Sequence, residues 1–193
     1  MTLTTKCGAC GKPLEAGETI DVAGRGPRCY PCFNCETADL PGIDFAEPRF
    51  QPIVLKDAEG TRHTFRFRSM LVPTGHKMEA LETVDEPHEA YRFAILGDFE
   101  ADAWELFQQL YAKMRREIAT RHVHRTEFGW QLTRDRLLGR IESDPDSDAR
   151  LPMVVIDGKP FTWEQVGHML MTFEGFTLEA RIKDAIEVLG DSE

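Results

Sequence analysis

The stretch "CYPCFNC", residues 29–35, places three cysteines at Cys29, Cys32 and Cys35, each two residues from the next. Upstream, "CGACG" supplies one further C-x2-C pair, Cys7 and Cys10. A four-thiolate metal site takes two such pairs. The chain therefore holds one cysteine too many, and the fold of residues 1–40 turns on which one is left over.

Eighteen residues separate Cys10 from Cys29, within the range for two knuckles sharing a zinc ion. That interval predicts a turn at Ala16-Gly17, a strand over Glu18–Val22 and a second turn around Gly24 to Pro27. The small residues of "CGACG" let backbone N–H groups turn toward a thiolate. Residues 7–32 thus resemble a zinc ribbon, the small rubredoxin-like module in which two knuckles on β-turns clasp one zinc. The resemblance implies that Cys7, Cys10, Cys29 and Cys32 are the ligands of one structural zinc ion. It departs from the common pattern at Phe33, where a knuckle usually has glycine. Ribbons occur in proteins of many kinds, so the resemblance implies a cofactor and no particular activity.

Two other arrangements use the same cysteines. Cys32 could pair with Cys35, leaving Cys29 free. Against this, Cys29 comes off the turn "GRGPR", whereas "FNCETADL" around Cys35 reads as a helix start. C-x2-C-x2-C also opens an iron–sulfur run, but Asp39 stands where that run needs its fourth cysteine. Four thiolates leave no open coordination position, which points to a structural metal. A segment this short also needs a staple to fold.

The rest of the chain sets wider bounds. Its 193 residues, 41% hydrophobic and 29% charged, suit a soluble globular protein. No apolar run reaches the ~18 residues of a membrane span. The N-terminus lacks a basic run followed by an apolar core, so no signal peptide is expected. An odd number of cysteines, all before residue 36, does not suit a disulfide framework, and a reducing cytoplasm is the expected location. Residues 1–38 are charge-balanced, so the net charge of −10 lies wholly on residues 39–193. Such a body repels phosphate backbones.

Three parts are expected: a zinc ribbon over 1–40, a proline-containing connector over 41–52, and an α+β domain over 53–193. "FQPIVLKD" and "TRHTFRFRSMLV" flank a hairpin turn at Ala58-Glu59-Gly60. In the second strand His63, Phe65, Phe67, Ser69 and Leu71 share one face; Arg62, Thr64, Arg66 and Arg68 share the other. "HKMEALETV" and "AYRFAILGD" predict two more strands about a turn at Asp85-Glu86-Pro87. Asp98 is the expected cap of a helix reaching Thr120, with an apolar stripe of Trp104, Phe107, Tyr111, Met114 and Ile118. "MVVIDGKPF" predicts a hairpin turning at Asp157-Gly158. Thr162 and Gln165 form a capping box, with Phe161 and Val166 as its staple. Leu178, Ile182, Ile186 and Leu189 predict a last amphipathic segment. The fold class is α+β, with an antiparallel sheet packed by two or three helices.

Catalytic signatures are missing: no G-x-S-x-G, H-E-x-x-H, phosphate-cradling loop or dinucleotide fingerprint occurs. Two basic groups stand out. Arg62, Arg66 and Arg68 form a stripe on one strand; pairing with Glu79, Glu82 or Glu89 would neutralise it. Arg115, Arg116 and Arg121 lie in "KMRREIATRHVHR" near a helix C-terminus, where cations suit the helix dipole. His122 and His124 could share a metal only on an extended segment. The reading that fits best is a non-catalytic zinc-ribbon protein serving as a protein-interaction or adaptor module, with another protein as partner and no membrane. Nucleic acid, gripped by either basic group, is the alternative and is disfavoured by the net charge. A third possibility is an enzyme whose site is assembled from distant residues such as Arg66, His76 and Glu79.

Overall fold

The computed structural model describes residues 5–14, 19–39, 42–84, 90–147, 150–184 and 186–188. The expected turns at Ala16-Gly17 and Asp85-Glu86-Pro87, together with Glu89 and Leu189, lie outside them. The chain is α+β, with the cysteine cluster at its N-terminal end. There a bridge joins Lys6 to Pro13, and β1 (Ile20–Val22) and β2 (Gly26–Arg28) form a short hairpin. Helix α1 (Tyr30–Asp39) follows at once.

A five-stranded sheet comes next. Strands β3 (Ile53–Lys56), β4 (Arg62–Val72), β5 (Gly75–Glu82) and β6 (Arg92–Gly97) pair antiparallel in chain order. The alternation in β4 falls as its sequence dictates. Phe65, Ser69 and Leu71 are buried, while Arg62, Thr64 and Arg66 are exposed. The β4–β5 turn closes with Val72 opposite Gly75. Gly75 has φ 142, and a Cβ on it would lie 2.1 Å from the Gly97 carbonyl oxygen, so only glycine fits.

Helix α2 (Ala103–Ile118) covers the inner face of this sheet. Leu106, Leu110, Met114 and Ile118 pack on Phe65, Met78, Ala80, Phe93 and Ile95. Each fully buried side chain of this size contributes about 1.5–3 kcal/mol. Two local expectations fail here. The cap is Asp102, whose Oδ1 accepts the Trp104 and Glu105 N–H groups at 2.9 Å each. Asp98 is spent in the preceding turn, where its carbonyl accepts from Ala101. The apolar stripe fails only in part: Met114 and Ile118 are buried as expected, but its N-terminal end is displaced. The row from Leu106 faces the sheet, and Trp104 is 57% exposed. Sheet residues Phe65, Met78 and Phe93 already fill the inner volume, so the helix presents its slimmer aliphatic row. The rings of Trp104 and Phe107 stack instead on Phe50, with centroids 6.3 and 4.3 Å away.

The second half builds its own core. Strands β7 (Val123–Thr126) and β8 (Gly129–Leu132) form a hairpin. Strands β9 (Arg140–Ser143), β10 (Pro152–Ile156) and β11 (Lys159–Thr162) form an antiparallel sheet in the order β11-β10-β9. The β10–β11 turn has φ 50 at Asp157 and 73 at Gly158, the left-handed pair that a two-residue hairpin needs. Helix α3 (Trp163–Leu170) carries the expected capping box at Thr162 and Gln165. Phe161, Val166 and Met169 pack with Val123, Leu132, Val154 and Ile156.

The last segment is not helical. Leu178 and Ile182 are 71% and 82% exposed on chain without regular structure. Strand β12 (Ile186–Val188) then joins the first sheet parallel to β6, with Ile186 opposite Ala94. The open edge of β6 satisfies its backbone groups there, and that outweighs the four-residue apolar spacing. Asp157 ties the β10–β11 turn to the start of β7 within the second half: its Oδ2 accepts the N–H groups of His122 and Val123 at 2.7 and 2.9 Å.

Candidate metal centre

The N-terminal folds bring Cys7, Cys10, Cys29 and Cys32 together, with all four Sγ atoms within 4.8 Å of one another. Cys10 and Cys29 Sγ stand 3.8 Å apart. A tetrahedral site with metal–sulfur bonds of about 2.3 Å has edges of about 3.8 Å, so this donor set fits a single thiophilic ion. Cys35 is exposed and outside the cluster.

The first pair sits on a tight loop. Gly11 N donates to Cys7 O at 2.9 Å and Cys7 N to Lys12 O at 2.9 Å. Gly8 N donates to Pro27 O at 2.8 Å, which ties this loop to the β1–β2 hairpin. The second pair departs from the ribbon expectation. Cys29 immediately precedes α1 and Cys32 lies in its first turn, where Phe33 N donates to Cys29 O at 2.9 Å. A residue in a helical first turn does not need glycine's freedom, which accounts for Phe33. The positive end of the helix also favours thiolates at this place.

The thiols are unequal. Backbone N–H groups of Cys10, Cys29 and Ala9 pull the Cys7 thiol down to about 6. Burial pushes the Cys29 thiol up, and burial with the neighbouring thiols pushes Cys32 up further. Binding a metal ion would draw the thiols into their thiolate form. Four thiolates around a divalent ion carry a net −2, and Arg28 sits against that charge. Its Nε donates to Glu36 Oε1 at 2.7 Å and its Nη1 to Arg25 O at 2.6 Å. A Cβ at Gly8 would lie 2.6 Å from that Nη1, so the guanidinium lies over the first loop. Glu36 first, then Cys7 and Cys32, hold Arg28 in its charged form.

Residues 46–119 match a family model described as a domain of unknown function (DUF7686), and residues 122–187 match a second (DUF7713). No curated protein and no solved structure matches the chain. The first match spans β3 to the end of α2 and the second runs from β7 into β12. Their boundary falls between the two hydrophobic cores, and the cysteine module precedes both.

Arg62, Arg66 and Arg68 share one face of β4, as their alternation predicts. Arg68 pairs with Glu79, with Nε to Oε2 at 2.8 Å, and lies 4.3 Å over the Tyr30 ring. Arg62 and Arg66 are exposed on the outer face of β4. Arg121 pairs with Glu59 at 2.6 Å and donates to Val123 O. Arg115 lies 6.0 Å from the Tyr111 ring centroid, and Arg116 is 3.9 Å from Glu117. His76 and Glu79 occupy opposite faces of β5, with His76 buried against Ser69 Oγ at 3.1 Å. His124 lies on β7 and is absent from the metal-competent cluster.

Several polar residues carry no local sequence signal. His63 is held between two carboxylates, Asp57 Oδ2 at 3.2 Å and Glu82 Oε1 at 2.6 Å. Asn34, 1% exposed, bonds to the backbone of β4. Their partners lie 6 to 37 positions away in sequence, so no local pattern marks them. Arg28 had a signal in its position directly before Cys29.

Proposed function

We propose that this chain is a non-catalytic interaction module, stapled at its N-terminal end by one zinc ion in a ribbon-type site whose second knuckle is a helix start. It would work as an adaptor in a reducing compartment, where the thiols stay available to metal. Four thiolates fill a tetrahedral ion, so the metal would fold and position its surroundings and would bind no substrate. The observation that carries the adaptor reading is the aromatic face of α2. Trp104 is more than half exposed, stacked in line with Phe107 and Tyr111, and backed by Phe50. Tryptophan and tyrosine are enriched among the anchors of protein interfaces. The engagement of Arg68 by Glu79 and of Arg121 by Glu59 favours this reading over a phosphate-binding one.

Metal analysis tests the first half. Wild type and Cys35→Ser are expected to carry one zinc per chain, and Cys32→Ser to lose it; bound iron, or loss with Cys35→Ser, refutes the assignment. Native affinity purification tests the second. A defined set of proteins should enrich with wild type and drop away with Trp104→Ser. An unchanged set, or binding dominated by nucleic acid at low salt, overturns the adaptor reading.

A further inference from the structure

Strand β4 is longer than its neighbour. On one side β3 pairs only with Arg62 to Phe65. On the other, β5 pairs with Phe65 to Val72. Among the described residues, no strand covers residues 66–72 on the β3 side. Open strand edges of this kind attract other chains.

Helix α1 lies against that edge. Asn34 Nδ2 donates to Ser69 O at 3.0 Å, and Leu71 N donates to Asn34 Oδ1 at 2.9 Å. A carboxamide presents an N–H donor and a carbonyl acceptor side by side, as a strand edge does. Ser69 and Leu71, two apart, turn their backbone groups to the same edge. One side chain therefore substitutes for a paired strand. Tyr30, one turn earlier, faces the Arg68 guanidinium.

What keeps α1 in place is not an apolar face. Its buried residues are Asn34 and Ala38. A ten-residue helix is marginal on its own. Its firm anchor is its first turn, where Cys29 and Cys32 meet Cys7 and Cys10. Cys32 is two residues from Asn34.

We propose that the metal centre works as a latch on the β4 edge. With the ion bound, α1 is pinned and Asn34 seals Ser69 to Leu71. With the ion gone, α1 releases Asn34, and the backbone of Ser69 to Leu71 is uncovered while the remainder of the sheet stays folded. This rests on the reading of the four cysteines as a metal site.

Hydrogen exchange resolved to single amides, on the full chain with and without a chelator, tests it. Removing the metal should speed exchange of the Leu71 amide by about tenfold or more, with α1 amides following, as expected for a lost buried hydrogen bond. Amides of Met78 and Ile95 should keep their protection. Asn34→Ala should raise Leu71 exchange with metal still bound and its stoichiometry unchanged. Continued protection of Leu71 in the stripped chain overturns the latch. So does simultaneous loss at Leu71 and Ile95, which would make the change global. A purified chain that takes up no thiophilic metal defeats the site assignment itself, a result read from metal content before any exchange is measured.

Discussion

Replacing Asp157 with alanine should weaken the whole molecule out of proportion to its surface position. Asp157 Oδ2 accepts two backbone N–H groups, from His122 and Val123. A charge-assisted bond of this kind contributes about 1.5–3 kcal/mol. Because both share one half-exposed oxygen, about 2–4 kcal/mol is the reasonable total. The residue also sits at φ 50, a conformation that aspartate and asparagine tolerate and alanine resists by about 1–2 kcal/mol. Asp157→Ala should therefore cost about 3–6 kcal/mol. Asp157→Asn keeps both an acceptor and the turn preference, and should cost about 1 kcal/mol. Asp157→Gly relieves the strain but not the lost bonds, and should fall between. Urea denaturation followed by tryptophan fluorescence measures all three. An asparagine variant as damaged as the alanine variant, or an alanine variant within about 0.5 kcal/mol of wild type, refutes the account of Asp157 as the tie between the β10–β11 turn and β7.

Leu110→Ala should destabilise by about 2–5 kcal/mol because it empties a filled core site, whereas Trp104→Ala should cost under about 1 kcal/mol; equal losses in a denaturation series would mean that α2 is rotated as its aromatic spacing suggests. Gly75→Ala should cost more than about 3 kcal/mol, since the added Cβ meets the Gly97 carbonyl, and a thermal midpoint like that of wild type would count against the tight β4–β5 turn. Burial raises the Glu79 carboxyl, but Arg68 and Lys77 outweigh it and hold the group below the usual carboxylate range. Its stabilising contribution is thus full above the unfolded pKa of about 4.3 and fades as pH falls through the lower folded value. Glu79→Gln should flatten that acid-side slope, and an unchanged slope in pH-dependent melting would show that the pair contributes nothing.

Local patterns were legible wherever a short run of residues decides the outcome by itself. The Thr162/Gln165 capping box, the Asp157-Gly158 turn and the face alternation of β4 each follow from contacts within a few positions. The failures share another cause. Asp98 and Asp102 are equally good caps by chemistry, and only the turn spent before α2 selects Asp102. Of the stripe on α2, Met114 and Ile118 turn inward as their spacing predicts, but Trp104 does not, because the space left by Phe65, Met78 and Phe93 determines which row turns inward. The C-terminal segment has helical spacing, yet β6 offers an unpaired edge that sequence spacing does not display.

For the cysteines, spacing together with the turn before Cys29 narrowed five residues to a preferred set of four, since C-x2-C pairs carry their geometry in the local chain. Tertiary structure decided how the second pair is presented. The start of α1 carries it, and the same helix delivers Asn34 to the edge of β4. No sequence pattern marks that meeting, because Asn34 reads backbone atoms at Ser69 and Leu71 and backbone atoms are the same in every residue. What a thiol pair needs is close by in sequence; what a buried amide needs is wherever the fold leaves a strand uncovered.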